Sequence, residues 1–517
     1  MVDAPSPLSD LVAHAHHRRV VVIGGGLAGL VAALECAKVG IRVTLLEQSE
    51  TLGGAIQPYE ADGFPLPTGP LDHSATETMR SLVDDLGLGA HVVAPRTDET
   101  WIAGLPQGAA KLPAATVRGI PANPWADDVR AIIGWGGAWR AYLDRLRPPL
   151  TIGVERNLAR LVRTRMGDRV LDRMVTPLSV GTLGIGPEEL DVDALAPGLN
   201  TALTRTGSLG GAVAELLATD ATPQAAGLDG GMPRLTAALE RRLGDLDVEV
   251  RRRTRAVALT AGDGGWRVSV ESEAPAATPD ATAPPAAGAP PADPDSGDPG
   301  PARPDEDPSV IDADAVIVAV GAREARTLLA AHVAELDTAP RATPGVIETV
   351  TLVVSASTLD THPRGARVVR IPGTGPAAVV SHETARWAWL ADAAGPGRHI
   401  VRVRFGGGDT EPATTGLTDD QARALAASEA SALLGVDTAE LRVLASTRTT
   451  SAAERPSSAL GHAAETAAIR TAIAGSDGLA AVGAWLSGSD PADVVRDATS
   501  EADRVRRATL WTGPPAE

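Results

Sequence analysis

Six consecutive residues, Gly24-Gly25-Gly26-Leu27-Ala28-Gly29, carry the spacing G-x-G-x-x-G. Glycines placed this way allow a tight turn, let the backbone approach a pyrophosphate, and pack a helix closely on a strand. Glu47 follows at the distance where a carboxylate binds the hydroxyl pair of a ribose, with Gln48 beside it. The chemistry these residues suit is dinucleotide binding. A helix N-terminus would offer free N–H groups and a positive dipole end to the anion. The competing reading is a glycine-rich turn in another kind of α/β protein.

The neighbouring elements favour the first reading. Val20–Ile23 is a short run rich in β-branched residues, as a buried parallel strand should be. Leu30–Val39 reads as an apolar helix ending at Gly40, and Arg42–Leu46 as a second strand ending at Glu47. Shortly after comes a glycine pair, Gly53-Gly54. A pair at this place resembles the flavoprotein amine-oxidase superfamily, where an extended chain passes close to the pyrophosphate. The basic residue usual beside that pair is replaced here by Thr51 and Ala55.

Composition narrows the classes. At 517 residues the chain should hold two or three domains, and its 44% hydrophobic content is ordinary for a globular protein. Cys36 is the single cysteine, so no internal disulfide can form, and a cytoplasmic setting is expected. No apolar run reaches the ~20 residues of a membrane span. Residues 1–19 lack the hydrophobic core of a signal peptide. A formal charge of −18 argues against nucleic acid and against anionic membrane surfaces as partners. No metal cluster is expected: His73, His382 and His462 stand apart from one another and from the cysteine.

Ser272–Ser309 is almost entirely Ala, Pro, Asp, Gly, Thr and Glu, with eight acids against Arg303 alone. Such a segment cannot bury enough surface to offset ordering entropy and is expected to be disordered. Trp266–Val270 before it and Asp314–Val320 after it read as strands, which makes it a tether within one domain. Residues 126–220 read as mainly helical. Strand patterns dominate from Val346 to Phe405, and Thr418–Leu434 reads as a helix capped by Thr418.

Several separated blocks together resemble one family, the oxygen-dependent protoporphyrinogen/coproporphyrinogen III oxidases of haem synthesis. They are the glycine fingerprint through Gly53-Gly54, then Asp62-Gly63-Phe64 with Gly69-Pro70-Leu71-Asp72, and the helical block from Met166-Gly167-Asp168 through Thr176-Pro177-Leu178 to Gly181 and Pro187. Gly230-Gly231-Met232 with the Val257 strand, Arg386-Trp387-Ala388-Trp389-Leu390, and Gly461-His462 with Gly478 to Trp485 complete the series.

The resemblance implies an α/β fold: a Rossmann-like FAD-binding domain of the flavin amine-oxidase/glutathione-reductase type, with an inserted mixed α+β substrate domain and a helical subdomain. Residues 18–75, 222–335 and 441–517 would form the FAD-binding domain, with the insert at 272–309. Residues 76–125 and 336–440 would form the substrate domain and 126–221 the helical subdomain, after a flexible tail of residues 1–17. FAD would lie on Gly24, Gly25, Gly26, Leu27, Ala28 and Gly29, with Glu47 and Gln48 at the ribose and Gly53 and Gly54 at the pyrophosphate. Gly69, Pro70, Val257, Trp485 and Gly488 would lie near the ring. Trp387 and Trp389 would line a flat substrate pocket or, alternatively, belong to the core.

The implied reaction is oxidation of coproporphyrinogen III to coproporphyrin III by hydride transfer to FAD, with molecular oxygen as acceptor and peroxide released. Substrate carboxylates would need arginine or backbone donors. Transient contact with other haem-synthesis enzymes is also implied. The alternatives are protoporphyrinogen IX oxidation, another amine oxidase or desaturase activity, and a catalytically degenerate binding partner. Two departures from the family pattern, Thr449 in the last block and Asp490 in the final turn, are expected to weaken the flavin site. Asp490 in particular would add negative charge where a reduced flavin must carry its own.

Overall fold

The computed structural model describes residues 15–61, 63–65, 68–146, 155–219, 224–262, 264–272, 309–333, 336, 345–407, 410–452 and 455–511. Along the chain, β1 (Arg19–Ile23), α1 (Leu27–Ala37) and β2 (Arg42–Leu46) form the first unit. They are followed by β3 (Thr100–Leu105), β4 (Gly108–Lys111), the helical region, and α2 (Pro233–Asp245). Next come β5 (Glu249–Arg251), β6 (Thr254–Gly262), β7 (Gly265–Ser272), β8 (Ser309–Ala313) and β9 (Ala315–Val318). The remainder contains β10 (Val346–Ser355), β11 (Arg367–Arg370), β12 (Ala377–His382), β13 (Arg398–Gly406), α3 (Asp419–Leu434), β14 (Arg442–Ala452), β15 (Leu479–Ala481) and α4 (Pro491–Trp511).

The first sheet is parallel, in the order β5-β2-β1-β9-β15. The central strands β1 and β9 are rich in β-branched residues and buried on both faces, as the run Val20–Ile23 requires. Helix α1 covers one face. Leu30 and Leu34 are fully buried there among Leu235 and Leu239 of α2 and Val495, Ala498 and Ala502 of α4. Each such leucine contributes about 1.5–3 kcal/mol of burial. Cys36 is buried in the same layer, and burial pushes its thiol up to about 12, so it packs as a small hydrophobe. The chain leaves β1, turns into α1 and returns as β2 on one side, while β9 lies on the other. The glycine turn therefore sits at the carboxyl end of the sheet at a switch in strand order, where open α/β sheets bind ligands.

The second sheet has seven strands in the order β14-β10-β13-β12-β11-β3-β4. Its side chains alternate between two layers. Val369 and Val379 meet the helical region, while Val368, Val380 and Val403 meet α3. Helix α3 starts as its sequence predicts: the Thr418 hydroxyl accepts from Gln421 N–H, and Gln421 Oε1 accepts from Thr418 N–H at 2.9 Å.

Several expected boundaries shift. Strand β14, expected in the last nucleotide-binding segment, pairs with β10 at the edge of the seven-stranded sheet. The helix Glu77–Asp85 sends Met79, Leu82 and Val83 into the α1 layer, not into the substrate domain. Residues 15–17, expected in the tail, form a helical turn with Ala15 buried in that layer. In each case apolar side chains follow the nearest uncovered face, which chain order does not specify.

Residues 273–308 of the acidic segment lie outside the described residues, as do residues 1–14. The ends of the segment are fixed: Ser309 pairs with Val270 and Ser272 with Thr254 in the antiparallel sheet β6-β7-β8. Replacing residues 273–308 by a four-residue Gly/Ser turn should leave flavin content unchanged. It should also hold or raise stability, by up to about 2 kcal/mol from loop-closure entropy. Thermal melting and flavin absorbance check this, and a lower melting temperature would show a structural role for the segment.

Candidate functional site

The glycine turn is built by steric exclusion. Gly24 has φ +107°, and a Cβ there would meet the Ala319 carbonyl oxygen at 2.4 Å. A Cβ on Gly29 would lie 1.9 Å from the Gly24 carbonyl oxygen, so that glycine is what lets α1 approach β1. Gly26 differs: its Cβ would meet nothing nearer than Gly54 Cα, at 3.9 Å. Gly26 and Gly53 form a bridge, with Gly53 N–H donating to the Gly25 carbonyl at 2.8 Å. Two backbones thus run side by side with open space next to Gly26. Helix α1 has no side-chain cap and no acid in its first turn, so its leading N–H groups stay available.

Glu47 is buried at the end of β2. It accepts from Gly25 N–H at 2.7 Å and from Ser49 N–H at 2.8 Å. Each oxygen keeps a second lone pair, so the carboxylate both braces the glycine turn and can accept a ribose hydroxyl. Gln48 is exposed beside it. Strand β6 begins at this end, with Thr254 N–H donating to the Glu47 carbonyl at 2.9 Å. Val257 lies in the bulge of β6 three residues on. The structure therefore groups Val257 with Glu47 at the start of β6, and not with Trp485 and Gly488, beside which the sequence places it.

Residues 482–488 follow β15 at the same carboxyl end of the parallel sheet, two strands from the glycine turn. Gly483 has φ +133° and Gly488 φ +97°, and between them Trp485 is nearly buried with its indole N–H unpartnered. An orphan donor of this kind suits a polar ring edge. His462 is buried behind the turn, 3.2 Å from the Leu486 carbonyl oxygen. Open space at Gly26, free helix N–H groups, a buried acid and this orphan indole together fit a flavin dinucleotide.

Asp490 departs from expectation. Its carboxylate accepts from Ala492 N–H at 2.8 Å, from Ser74 N–H at 3.2 Å and from the Ser74 hydroxyl at 2.5 Å. It is the N-cap of α4, with Pro491 at the first helical position, and its charge is balanced by that helix end. Asp490→Ala should lower stability by about 1–2 kcal/mol in a denaturant melt, with Asp490→Asn close to wild type. A large change in flavin content without a stability change would instead place the carboxylate at the ring. Thr449 likewise has a structural place, facing Thr349 across β14 and β10.

A cavity of about 200 Å³ opens next to the cradle. Pro70 and Leu71 line it, and Gly69 packs so closely on the chain after Gly54 that its Cβ would meet the Ala55 carbonyl oxygen at 2.0 Å. The rest of the wall comes from Gly181 and Thr182 at the end of a continuous helical stretch, from Glu383, and from four arginines. Arg386 is held by Asp72 at 2.5 Å and Asp98 at 2.7 Å, which raise its proton affinity above the ordinary arginine value. Arg402 donates to the carbonyls of Gly69 and Thr68, at 3.0 and 3.3 Å. Arg404 donates to the Val180 carbonyl at 2.7 Å and to that of Gly181. Burial, with Arg367 and Arg402 beside it, pulls Arg404 down to about 10.

Apart from Arg386, which heads the Arg-Trp-Ala-Trp-Leu block, these arginines are marked by no local motif, and sequence reasoning left all four unchosen as ligands. Their common signal is period-2 spacing on one face of a strand, Arg402 and Arg404 on β13, with Arg367 on β11 completing the wall.

Trp387 and Trp389 do not line this cavity. Trp387 is fully buried among Leu71, Val353 and Leu390, with the Arg386 guanidinium 5.0 Å from its ring centre, and is core. Trp389 is partly buried and packs near Gly231. His382 is buried beside His399, 3.1 Å away, and burial with His399 and His362 holds it well below its ordinary value and hence neutral at pH 7. Among the described residues no group of histidine, cysteine and acidic side chains could hold a metal, and no helix is long and apolar enough to cross a membrane.

Comparison with known proteins agrees with this geometry. A coproporphyrinogen III oxidase from Propionibacterium freudenreichii is 31% identical over 199 residues, 38% of this chain and 36% of that protein. The Staphylococcus aureus coproporphyrinogen III oxidase is 29% identical over 196 residues, 37% of this chain and 42% of that protein. The matched stretches thus span well under two thirds of these relatives. Among solved structures, a candidate protoporphyrinogen oxidase from Exiguobacterium sp. 255-15 superposes with a TM-score of 0.75 at 21% identity, covering 95% of this chain and 99% of that one. The similarity of fold is therefore chain-long. The family model of flavin containing amine oxidoreductases matches residues 27–505, and the chain belongs to that family.

Proposed function

We propose that the protein holds FAD in the glycine cradle and oxidises a porphyrinogen, coproporphyrinogen III before protoporphyrinogen IX. The observation that carries this reading is the contact between the two halves of the site. The chain leaving the cradle after Gly54 meets Gly69 at Ala55 and Ile56, and the next residues Pro70 and Leu71 wall an arginine-lined cavity. A cofactor site and an anion-attracting pocket share one strip of backbone. The names of the sequence relatives supply the substrate class.

In this reading Gly24–Gly29 and Gly54 take the pyrophosphate, Glu47 the ribose, and the residues around Trp485 the ring. FAD, when bound, supplies two-electron oxidation and is returned to its oxidised form by molecular oxygen, with peroxide released. The protein's own part is to hold substrate and cofactor face to face. A porphyrinogen needs no strong nucleophile, since aromatisation drives the loss of hydrogen from its bridging carbons.

The test is porphyrin fluorescence and peroxide release from both porphyrinogens, using protein supplied with FAD. Coproporphyrinogen III should be oxidised well above the background rate in air, and faster than protoporphyrinogen IX. Demonstrable FAD binding with neither substrate oxidised would overturn the enzymatic reading in favour of a non-catalytic binding partner.

A further inference from the structure

We infer that Arg367, with Arg402 and Arg404, forms a clamp for the carboxylate arms of the ligand, so that the cavity selects polycarboxylates over neutral or esterified analogues. This rests on the proposed function for the identity of the ring, but the clamp itself follows from the geometry.

Four guanidiniums face the cavity, against the carboxylates of Asp72 and Glu383. Asp72 is engaged by Arg386. Glu383 is buried with one oxygen unpartnered. It attracts Arg367 electrostatically, as Asp72 and Asp98 do, but makes no direct ion pair with it among the described residues. Among the described residues Arg402 and Arg404 are held by backbone carbonyls alone, and the buried Nε–H of each has no acceptor. Arg367 has neither a hydrogen bond nor an ion pair through its side chain among the described residues.

Arg367, Arg402 and Arg404 are partly buried. Holding a partly buried cation without a paired anion is costly, and a protein whose arginines satisfied only its own fold would pair them as it pairs Arg386. Guanidinium groups present fixed forks of donors that match a carboxylate in two parallel bonds. The cavity, at about 200 Å³, falls below the ~300–1,000 Å³ of sites that enclose a drug-sized ligand. It therefore suits an acidic side arm, with the macrocycle lying outside it towards Pro70 and the cradle. Carbonyl contacts explain how the clamp is aimed: Arg402 is tied to residues 68–69 and Arg404 to the helix end at 180–181.

Arg367 gives the sharpest test because, among the described residues, its side chain has no hydrogen bond or direct ion pair to lose, only a longer-range attraction to Glu383, Asp72 and Asp98. The flavin-loaded protein is titrated with coproporphyrin III, which keeps all four carboxylates, and with its tetramethyl ester, following porphyrin fluorescence. Arg367→Gln should weaken coproporphyrin binding about tenfold or more, while Arg367→Lys recovers part of it. The ester should bind wild type and variant equally weakly. The melting temperature of Arg367→Gln should equal or exceed that of wild type, a sign opposite to that of a merely structural arginine. A second probe, citrate, should raise the melting temperature of wild type and not of Arg367→Gln. If citrate discriminates while coproporphyrin does not bind wild type, the clamp stands and the porphyrinogen reading fails. If coproporphyrinogen is oxidised but Arg367→Gln matches wild type towards both probes, the clamp is wrong and the function stands. No response of wild type to either probe also overturns the clamp.

Discussion

Gly26→Val yields a folded protein that has lost its flavin. The backbone at Gly26 is extended, with φ −73° and ψ 178°, which a valine adopts without strain. A Cβ there meets only Gly54 Cα at 3.9 Å, so the protein itself has room for the added carbon. The space it fills is the space assigned to the pyrophosphate, and flavin content should fall at least tenfold with the melting temperature little changed. Gly29→Val separates the two roles. Its Cβ collides with the Gly24 carbonyl, so the α1–β1 contact must open and stability should drop by about 1–3 kcal/mol or more. Lys38→Ala is the control: Lys38 pairs with Glu35 and Asp85 at a partly exposed site, and its removal should leave flavin content unchanged. Wild-type flavin content in the Gly26 variant would refute the cradle.

Arg448→Ala should be among the most destabilising single changes outside the glycine turn. Arg448 donates to buried Glu348 at 2.7 and 3.1 Å and to the carbonyls of Thr414 and Leu417, binding edge strand β14 to β10 and to the approach to α3. Removing it strands a buried carboxylate and two carbonyls. Breaking a buried pair costs about 3–5 kcal/mol, reduced here to about 2–4 because Arg448 is one-fifth exposed. A urea melt reads this directly. Glu348→Gln, which leaves a neutral partner for the arginine, should cost less. Equal losses from both would show that packing, not charge, is what Arg448 provides.

How much of this could be read from the chain depends on how local each cause is. The cradle was legible because its glycine spacing belongs to one strand–turn–helix unit, with Gly29 against Gly24, and Glu47 ends the next strand; that Gly24 makes room for Ala319 and Gly26 faces Gly54 is shown only by the fold. The N-cap at Thr418 was legible for the same reason, while the reciprocal bond from Gln421 is seen only in the structure. Residues 442–452 fall by chain order in the last nucleotide-binding segment, and only the fold shows them as strand β14 at the edge of the second sheet, since β propensity does not specify a partner. Asp490 read as a charge near the flavin because sequence places it in the final turn. Only the fold brings Ser74 to it and shows the helix it caps. Trp387 was ambiguous between pocket and core, and the neighbouring Leu71 and Leu390 decide for core. The arginine cavity was illegible because Arg367, Arg402 and Arg404 stand among many arginines and gather only when β11 and β13 take their places in one sheet.

The central claim is that the cradle and the arginine cavity form one redox site. Anaerobic mixing of the flavin-loaded protein with coproporphyrinogen III tests it most directly. Flavin absorbance should bleach as porphyrin absorbance rises, with three flavins reduced for each porphyrin formed, because aromatisation removes three electron pairs. Admitting oxygen should restore the flavin band. Flavin absorbance that persists in the presence of excess porphyrinogen would contradict the claim.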